Sequence, residues 1–332
     1  MKFDQILRDL ENKIYHPVYL LHGEEPYYID EISDFIEENV LDDTEKEFNL
    51  TIVYGRETNA REIIDHARRY PMMSSHQVVI VKEAQDLGDL EELAPYIEKP
   101  LDTTILVLAH KYRKVDKRRS LAKITSRKGV LFESSRIYDY KVPDWIGEQL
   151  RKKEYGISPK ASMMLSENLG NDLSKIRNEL DKLIINLEKG TQIDEDIIER
   201  NIGISKDYNI FELTASLGRK DVLKANRIAN YFAANPKIHP FILTLVMLYS
   251  YFIKLMIYHQ LSDKSKNNVA ATLSINPFFV KEYSNAANNY SFAKLGRIIG
   301  YIRDYDLRMK GMGNDNTGNG ELLKELIFKI LH

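Results

Sequence analysis

The feature that most limits what this chain can fold into is a change of pattern near residue 140. Before it lie short apolar runs with no polar alternation: Val18-Tyr19-Leu20-Leu21, Val78-Val79-Ile80-Val81, residues 104–108 and Val130-Leu131-Phe132. A strand with one wet face alternates, so a continuous β-branched run has to be covered on both faces. Residues 48–54 read as a further strand. Between the runs the apolar spacing becomes helical: Ile29, Ile32, Phe35, Ile36 and Val40 on an acidic segment, then Ile63, Ile64 and Ala67 within 60–69, then residues 87–97, then a basic segment over 117–127. Strands alternating with helices, joined by right-handed crossovers, give a doubly wound parallel α/β domain over residues 1–140.

After residue 141 the β-rich runs stop. Residues 142–152, 158–169, 172–189 and 194–201 read as helices and form a small helical domain over 141–207. Ser158-Pro159 is an N-cap followed by proline at the first helical position. Thr191-Gln192-Ile193-Asp194 resembles a capping box with Asp in the place of Glu. From 208 to 332 the chain stays helical but is more apolar, with segments 210–217, 222–234, 240–261, 277–288, 292–309 and 322–331, and Asn276-Pro277 is a second cap. Residues 311–320 are rich in Gly and Asn and read as a mobile loop. For 332 residues a prior of about 150 per domain suggests two or three domains, and the pattern divides the chain into three.

Net charge is −2, from 47 Lys and Arg against 49 Asp and Glu, so any contact with nucleic acid must be local or shared with partners. The chain has no Cys, which excludes disulfides, thiolate-bound metal and a thiol nucleophile, and fits a reducing cytoplasm. No metal-ligand spacing is found among the eight His, so no metal and no cofactor are expected. The N-terminus carries acid at once and has no signal-peptide core. The longest apolar run, residues 241–253, falls short of the roughly 20 needed to span a bilayer, so a buried core helix and no membrane partner are expected.

An α/β domain followed by two helical ones is the layout of AAA+ clamp-loader subunits, which raises ATP chemistry as a question. A P-loop needs Gly at both ends of its loop, then Lys and Ser or Thr, to cradle phosphate and hold magnesium. Counting from Gly23, Tyr28 stands at the second Gly, Ile29 at the Lys and Asp30 at the Ser/Thr position. Glu24 and Glu25 would repel phosphate, and Pro26 removes an amide donor. The third strand ends in Lys82-Glu83 where an ATPase has Asp-Glu. ATP hydrolysis by this chain is therefore not expected.

Four stretches carry a specific likeness: Pro17 to Tyr27 (PVYLLHGEEPY), Gly170 to Leu183 (GNDLSKIRNELDKL), Asn209 to Asp221 (NIFELTASLGRKD) and Asn276-Pro277-Phe278-Phe279-Val280. In these the chain resembles the delta subunit of the bacterial DNA polymerase III clamp loader, in the family's order and over almost the whole length. The resemblance implies an AAA+-like fold without nucleotide turnover, in a complex that serves DNA replication. The subunit would bind the ring-shaped sliding clamp and open it for loading onto primed DNA. Residues 141–207 would be a lid, and 208–332 a collar that joins the other loader subunits.

The family's clamp-binding residues follow a helix in the first domain, where two large apolar side chains enter a pocket of the clamp. The matching stretch is Tyr70-Pro71-Met72-Met73, with Pro71 expected to end the helix and the Met pair to act as the wedge. Residues of this kind can also plug a core, which is the other reading of the pair. Family members often carry Leu-Phe here; Met lacks the ring but adapts to irregular pockets. A second local signal is charge. Lys111, Arg113, Lys114, Lys117, Arg118, Arg119, Lys123, Arg127 and Lys128 stand against Asp116 alone, while residues 24–47 hold 11 acids and only Lys46. The cluster is either a contact for DNA phosphates or an acidic partner, or a solvated face balanced by that acidic segment. Ser134-Ser135-Arg136 resembles an arginine-finger motif but lacks its Cys and is taken as coincidence. Two other functions stay open: an α/β nucleotide-handling enzyme with an unrecognised site, and another AAA+ subunit of the same loader. No intrinsic catalysis is expected, although the polymerase holoenzyme is a nucleotidyltransferase.

Overall fold

A computed structural model describes residues 1–88, 90–313 and 317–332. The chain divides into two compact units, Met1–Ile137 and Tyr138–His332.

The first unit runs α1 (Phe3–Glu11), β1 (Val18–Gly23), α2 (Pro26–Asn39), α3 (Asp43–Asn49), β2 (Leu50–Tyr54), α4 (Ala60–Ala67), β3 (Gln77–Lys82), α5 (Ala94–Glu98), β4 (Thr104–Lys111), α6 (Ser120–Lys128) and β5 (Val130–Ser134). The strands form one parallel sheet in the order β2-β3-β4-β1-β5. The period of two sends alternate side chains to opposite faces. Val18, Leu20, Val79, Val81, Leu106 and Leu108 pack with Ile63, Ala67, Ile97 and Leu121 on one face. Tyr19, Leu21, Ile80 and Val107 pack with Ile6, Leu10, Ile29, Ile32 and Ile36 on the other. The doubly wound sheet is as the uninterrupted runs imply.

Three local expectations change. Residues 87–97 are not one helix: 3-10 turns at Ala84–Asp86 and Leu90–Leu93 precede the short α5. Residues 48 and 49 close α3 rather than open a strand. The basic segment 117–127 becomes helical only at Ser120, because Asp116 first folds a turn by accepting from the Arg118 amide at 2.9 Å.

The second unit runs α7 (Val142–Lys152), β6 (Gly156–Ile157), α8 (Pro159–Leu169), α9 (Leu173–Ile185), β7 (Gln192–Ile193), α10 (Glu195–Ile202), α11 (Ile210–Arg219), α12 (Val222–Ala234), α13 (Phe241–Gln260), α14 (Lys266–Leu273), α15 (Val280–Asn289), α16 (Phe292–Met309) and α17 (Asn319–Leu331). Ser158 caps α8 by accepting from the Ala161 amide at 3.0 Å. The Asn276 cap forms too, opening a 3-10 turn that runs into α15. The capping box expected at Thr191 does not: Asp194 caps α10, since Gln192 and Ile193 pair with Gly156 and Ile157. Of the predicted loop 311–320, residues 314–316 lie outside the described residues, and Asn319 and Gly320 already belong to α17.

By length and composition alone α13 could cross a membrane. Its Phe241, Leu245, Leu248, Phe252 and Leu255 stripe is buried, and the helix packs against α11, α14, α15, α16 and α17, as expected of a core helix. That stripe is therefore not a surface for other subunits. The opposite side of the helix carries an exposed apolar row instead: Ile242, Leu243, Val246 and Tyr249.

Candidate functional site

The Met72–Met73 turn precedes β3, at the amino edge of the sheet. Its entry is set at Ala67. In a continuing helix the Ala67 carbonyl would accept the amide of residue 71, but Pro71 has no N–H. That carbonyl accepts instead from the Tyr96 hydroxyl at 3.0 Å and the Thr104 hydroxyl at 2.9 Å, both buried. The helix thus ends at Ala67, earlier than the expected residue 69, and Pro71 acts from four residues beyond it. The exit is fixed by Gln77, whose side chain donates to the His66 carbonyl.

Between these anchors the chain turns outward. Met72 is 61% exposed and Met73 102%, and Met73 has φ +54°. Neither plugs the core. A non-glycine residue in the left-handed region carries strain that its surroundings must hold in place. Tyr70 is exposed as well, and Pro71 is half-buried. What holds the turn is Asn49, the last residue of α3, itself only 1% exposed. Its Oδ1 accepts from the Met72 amide at 2.6 Å, and its Nδ2 donates to the Met72 carbonyl at 2.9 Å. Phe48, next to it in sequence, is 67% exposed. Neither Asn49 nor Phe48 was singled out from sequence. The one available signal was Asp42 with Glu45 three residues on, which forms a full capping box and starts α3.

The carboxyl edge of the sheet is built in the opposite way. Where a P-loop would open, the Glu24 amide donates to the Ser134 carbonyl at 2.9 Å, and the Ser134 hydroxyl donates to the Glu25 carbonyl at 2.7 Å. The buried Glu25 carboxylate caps the Tyr27 amide at 3.2 Å. Helix-start donors that would cradle phosphate are thus used internally. Gly23 has φ +145°, and a Cβ there would lie 1.9 Å from the Ser134 carbonyl oxygen. Asp30, at the position of an ATPase's magnesium-holding Ser or Thr, and Glu83, at that of the Glu in its Asp-Glu pair, are bridged by the Lys111 ammonium at 2.6 and 3.1 Å. Burial works against that charge, yet the two carboxylates outweigh it and hold the Lys111 pKa above the usual lysine value. Among the described residues no three acids or histidines gather to hold a metal ion.

The basic cluster is partly spent in the same manner. Besides Lys111, Lys114 pairs with Glu133 at 3.2 Å and Glu24 at 3.7 Å, Lys117 with Glu133, Arg118 with Asp116 at 2.9 Å, and Arg127 with Glu98 at 3.5 Å. Arg113, Arg119, Lys123 and Lys128 are exposed and make no ion pair among the described residues. Arg113 and Tyr112 also border a groove of about 520 Å³, shared with Tyr54, Arg56, Glu57, Glu83, Gln85 and Asp86.

Comparison with known proteins decides the family. Residues 19–135 match the sequence model of the DNA polymerase III delta subunit, and residues 207–327 match that of the C-terminal domain of the same subunit. The chain belongs to the delta-subunit family of DNA polymerase III. It is 26% identical to DNA polymerase III subunit delta of Bacillus subtilis (strain 168), over 98% of this chain and 95% of that one. The solved Bacillus subtilis DNA clamp loader delta protein shares the fold, with a TM-score of 0.55 and 23% identity over 99% of both chains. Membership makes this delta-family chain a component of the replicative clamp loader, with the sliding clamp and the other loader subunits as its partners.

Proposed function

We propose that this chain is the subunit that binds the sliding clamp and opens it for loading onto primed DNA, without hydrolysing ATP itself. The observation that carries the reading is the Met72–Met73 pair. Two large apolar side chains stand in water on a braced turn, where apolar groups are normally avoided, and such an anchor is what a hydrophobic pocket on a partner recognises. Tyr70 and Pro71 flank the anchor. The closed β1–α2 junction and the Lys111 bridge support the absence of nucleotide turnover.

In the same reading residues 1–140 are the clamp-binding domain, 141–207 the lid, and 208–332 the collar that meets the other loader subunits. The exposed row of α13, from Ile242 to Tyr249, offers that collar an apolar surface. Arg113 and Arg119 remain free for DNA phosphates inside the assembled loader; the paired Lys111, Lys114, Lys117 and Arg118 are less available. The setting is the cytoplasm.

The test is Met72→Ser with Met73→Ser. Burying one Met is worth about 1.5–3 kcal/mol, and interface energy concentrates in a few anchors. Clamp affinity should therefore fall by roughly two to four orders of magnitude, with the melting temperature unchanged because both side chains are already exposed. Clamp binding that survives the double change overturns the proposal.

A further inference from the structure

We propose that Asn49 is the positioning residue of the clamp wedge: it holds the backbone of Met72 so that Met72 and Met73 are presented ready for a pocket. This rests on the reading of the Met pair given above. The side-chain amide of Asn49 meets both polar groups of one residue, accepting from the Met72 N–H at 2.6 Å and donating to the Met72 C=O at 2.9 Å. A peptide group pairs with a neighbouring strand in the same way, but here one buried side chain does it across 23 positions of sequence. The second Nδ2 hydrogen goes to the Glu45 carbonyl at 2.9 Å, so the amide is itself tied to α3. Only one orientation of the amide satisfies these three contacts, which leaves the clip a single geometry.

The clip explains how the strain at Met73 persists. A left-handed methionine with its side chain wholly in water gains nothing from its own packing. The conformation survives only if the residues on either side are held. Met72 is held by Asn49, and Gln77 is held by the His66 carbonyl. Freed at Met72, the segment from Tyr70 to Ser75 would sample other conformations, and binding would then carry the cost of ordering it.

The test compares Asn49→Ala in the full chain with the same change in a Met73→Ala background, reading affinity for the purified sliding clamp and melting temperature together. With two hydrogen bonds lost, Asn49→Ala should weaken clamp binding by about tenfold or more. The loss should be much smaller in the Met73→Ala background, since a misplaced wedge matters less once half of it is gone. A merely structural Asn49 would give equal losses in both backgrounds, in step with unfolding, and that result overturns the proposal. Should Asn49→Ala not fold, amide exchange in the unaltered protein still tests the clip. The Met72 amide should exchange about tenfold or more slower than the Met73 amide, and equal rates overturn the proposal. Clamp binding that survives Met72→Ser with Met73→Ser would refute the wedge itself. Lost binding there with intact binding in Asn49→Ala would refute only the role of Asn49.

Discussion

The amino and carboxyl edges of the first unit's sheet treat their side chains in opposite ways. In doubly wound folds ligands collect at the carboxyl edge, outside the strand ends. Here the β1–α2 corner of that edge satisfies itself: amides, hydroxyls and charges meet within the chain, from Ser134 and Glu25 to Lys111 between Asp30 and Glu83. The amino edge, usually structural, leaves Met72, Met73 and Phe48 unsatisfied in water. On the proposed reading, one scaffold gives up a small-molecule site at one end and offers a protein-binding one at the other.

The hardest blow to that contrast should come from Gly23→Ala. The new methyl would meet the Ser134 carbonyl, and φ +145° suits only glycine. Strain and overpacking together should cost roughly 3–5 kcal/mol, measured by denaturant unfolding, and clamp binding should fail only in so far as the unit unfolds.

Next comes acid. His22 is fully buried, and its Nδ1 accepts from the Val115 amide at 3.2 Å. Burial lowers its pKa from 6.5 to about 4, with Lys114 and Lys117 adding in the same direction, His110 likewise, and Glu133 opposing. Between those values the unfolded chain binds the extra proton, so falling pH favours unfolding. Stability should drop by up to about 3 kcal/mol as pH falls through this window. His22→Asn, which can still accept from Val115, should flatten the profile; an unchanged profile would refute the assignment.

A smaller effect is expected at Lys111→Met. Asp30 and Glu83 would face each other unbridged, and since both are partly exposed the cost should be about 1–3 kcal/mol. Clamp affinity of the folded protein should stay the same, and a parallel loss of affinity would erase the separation of the two edges. Smallest is Phe48→Ala. Its exposed ring, next in sequence to Asn49, should add up to about 1 kcal/mol to clamp binding, or a few-fold in affinity, with no loss of melting temperature.

What the sequence revealed follows from where each signal resides. Strands buried on both faces write themselves as unbroken runs, and the Met pair stood out once the resemblance supplied a role. Tertiary partners were not legible. Asn49 lay in what read as a strand, and nothing local marks a side chain whose partner is 23 residues away. The α3 segment Asp43–Asn49 has almost no apolar period, so its helix rests on a cap. The stripe on α13 was legible as that of a buried helix, but the helices that cover it were not, because periodicity shows that a face is apolar and not what packs on it.

The Lys111 bridge has a consequence for timing. A nucleotide or a metal ion arrives and leaves, and its occupancy follows its concentration. An ammonium tethered to the end of β4 has no dissociation rate and no bulk supply. On the proposed reading the corner it fills has no clock of its own, and any stroke this unit delivers would be set by the neighbours it is coupled to.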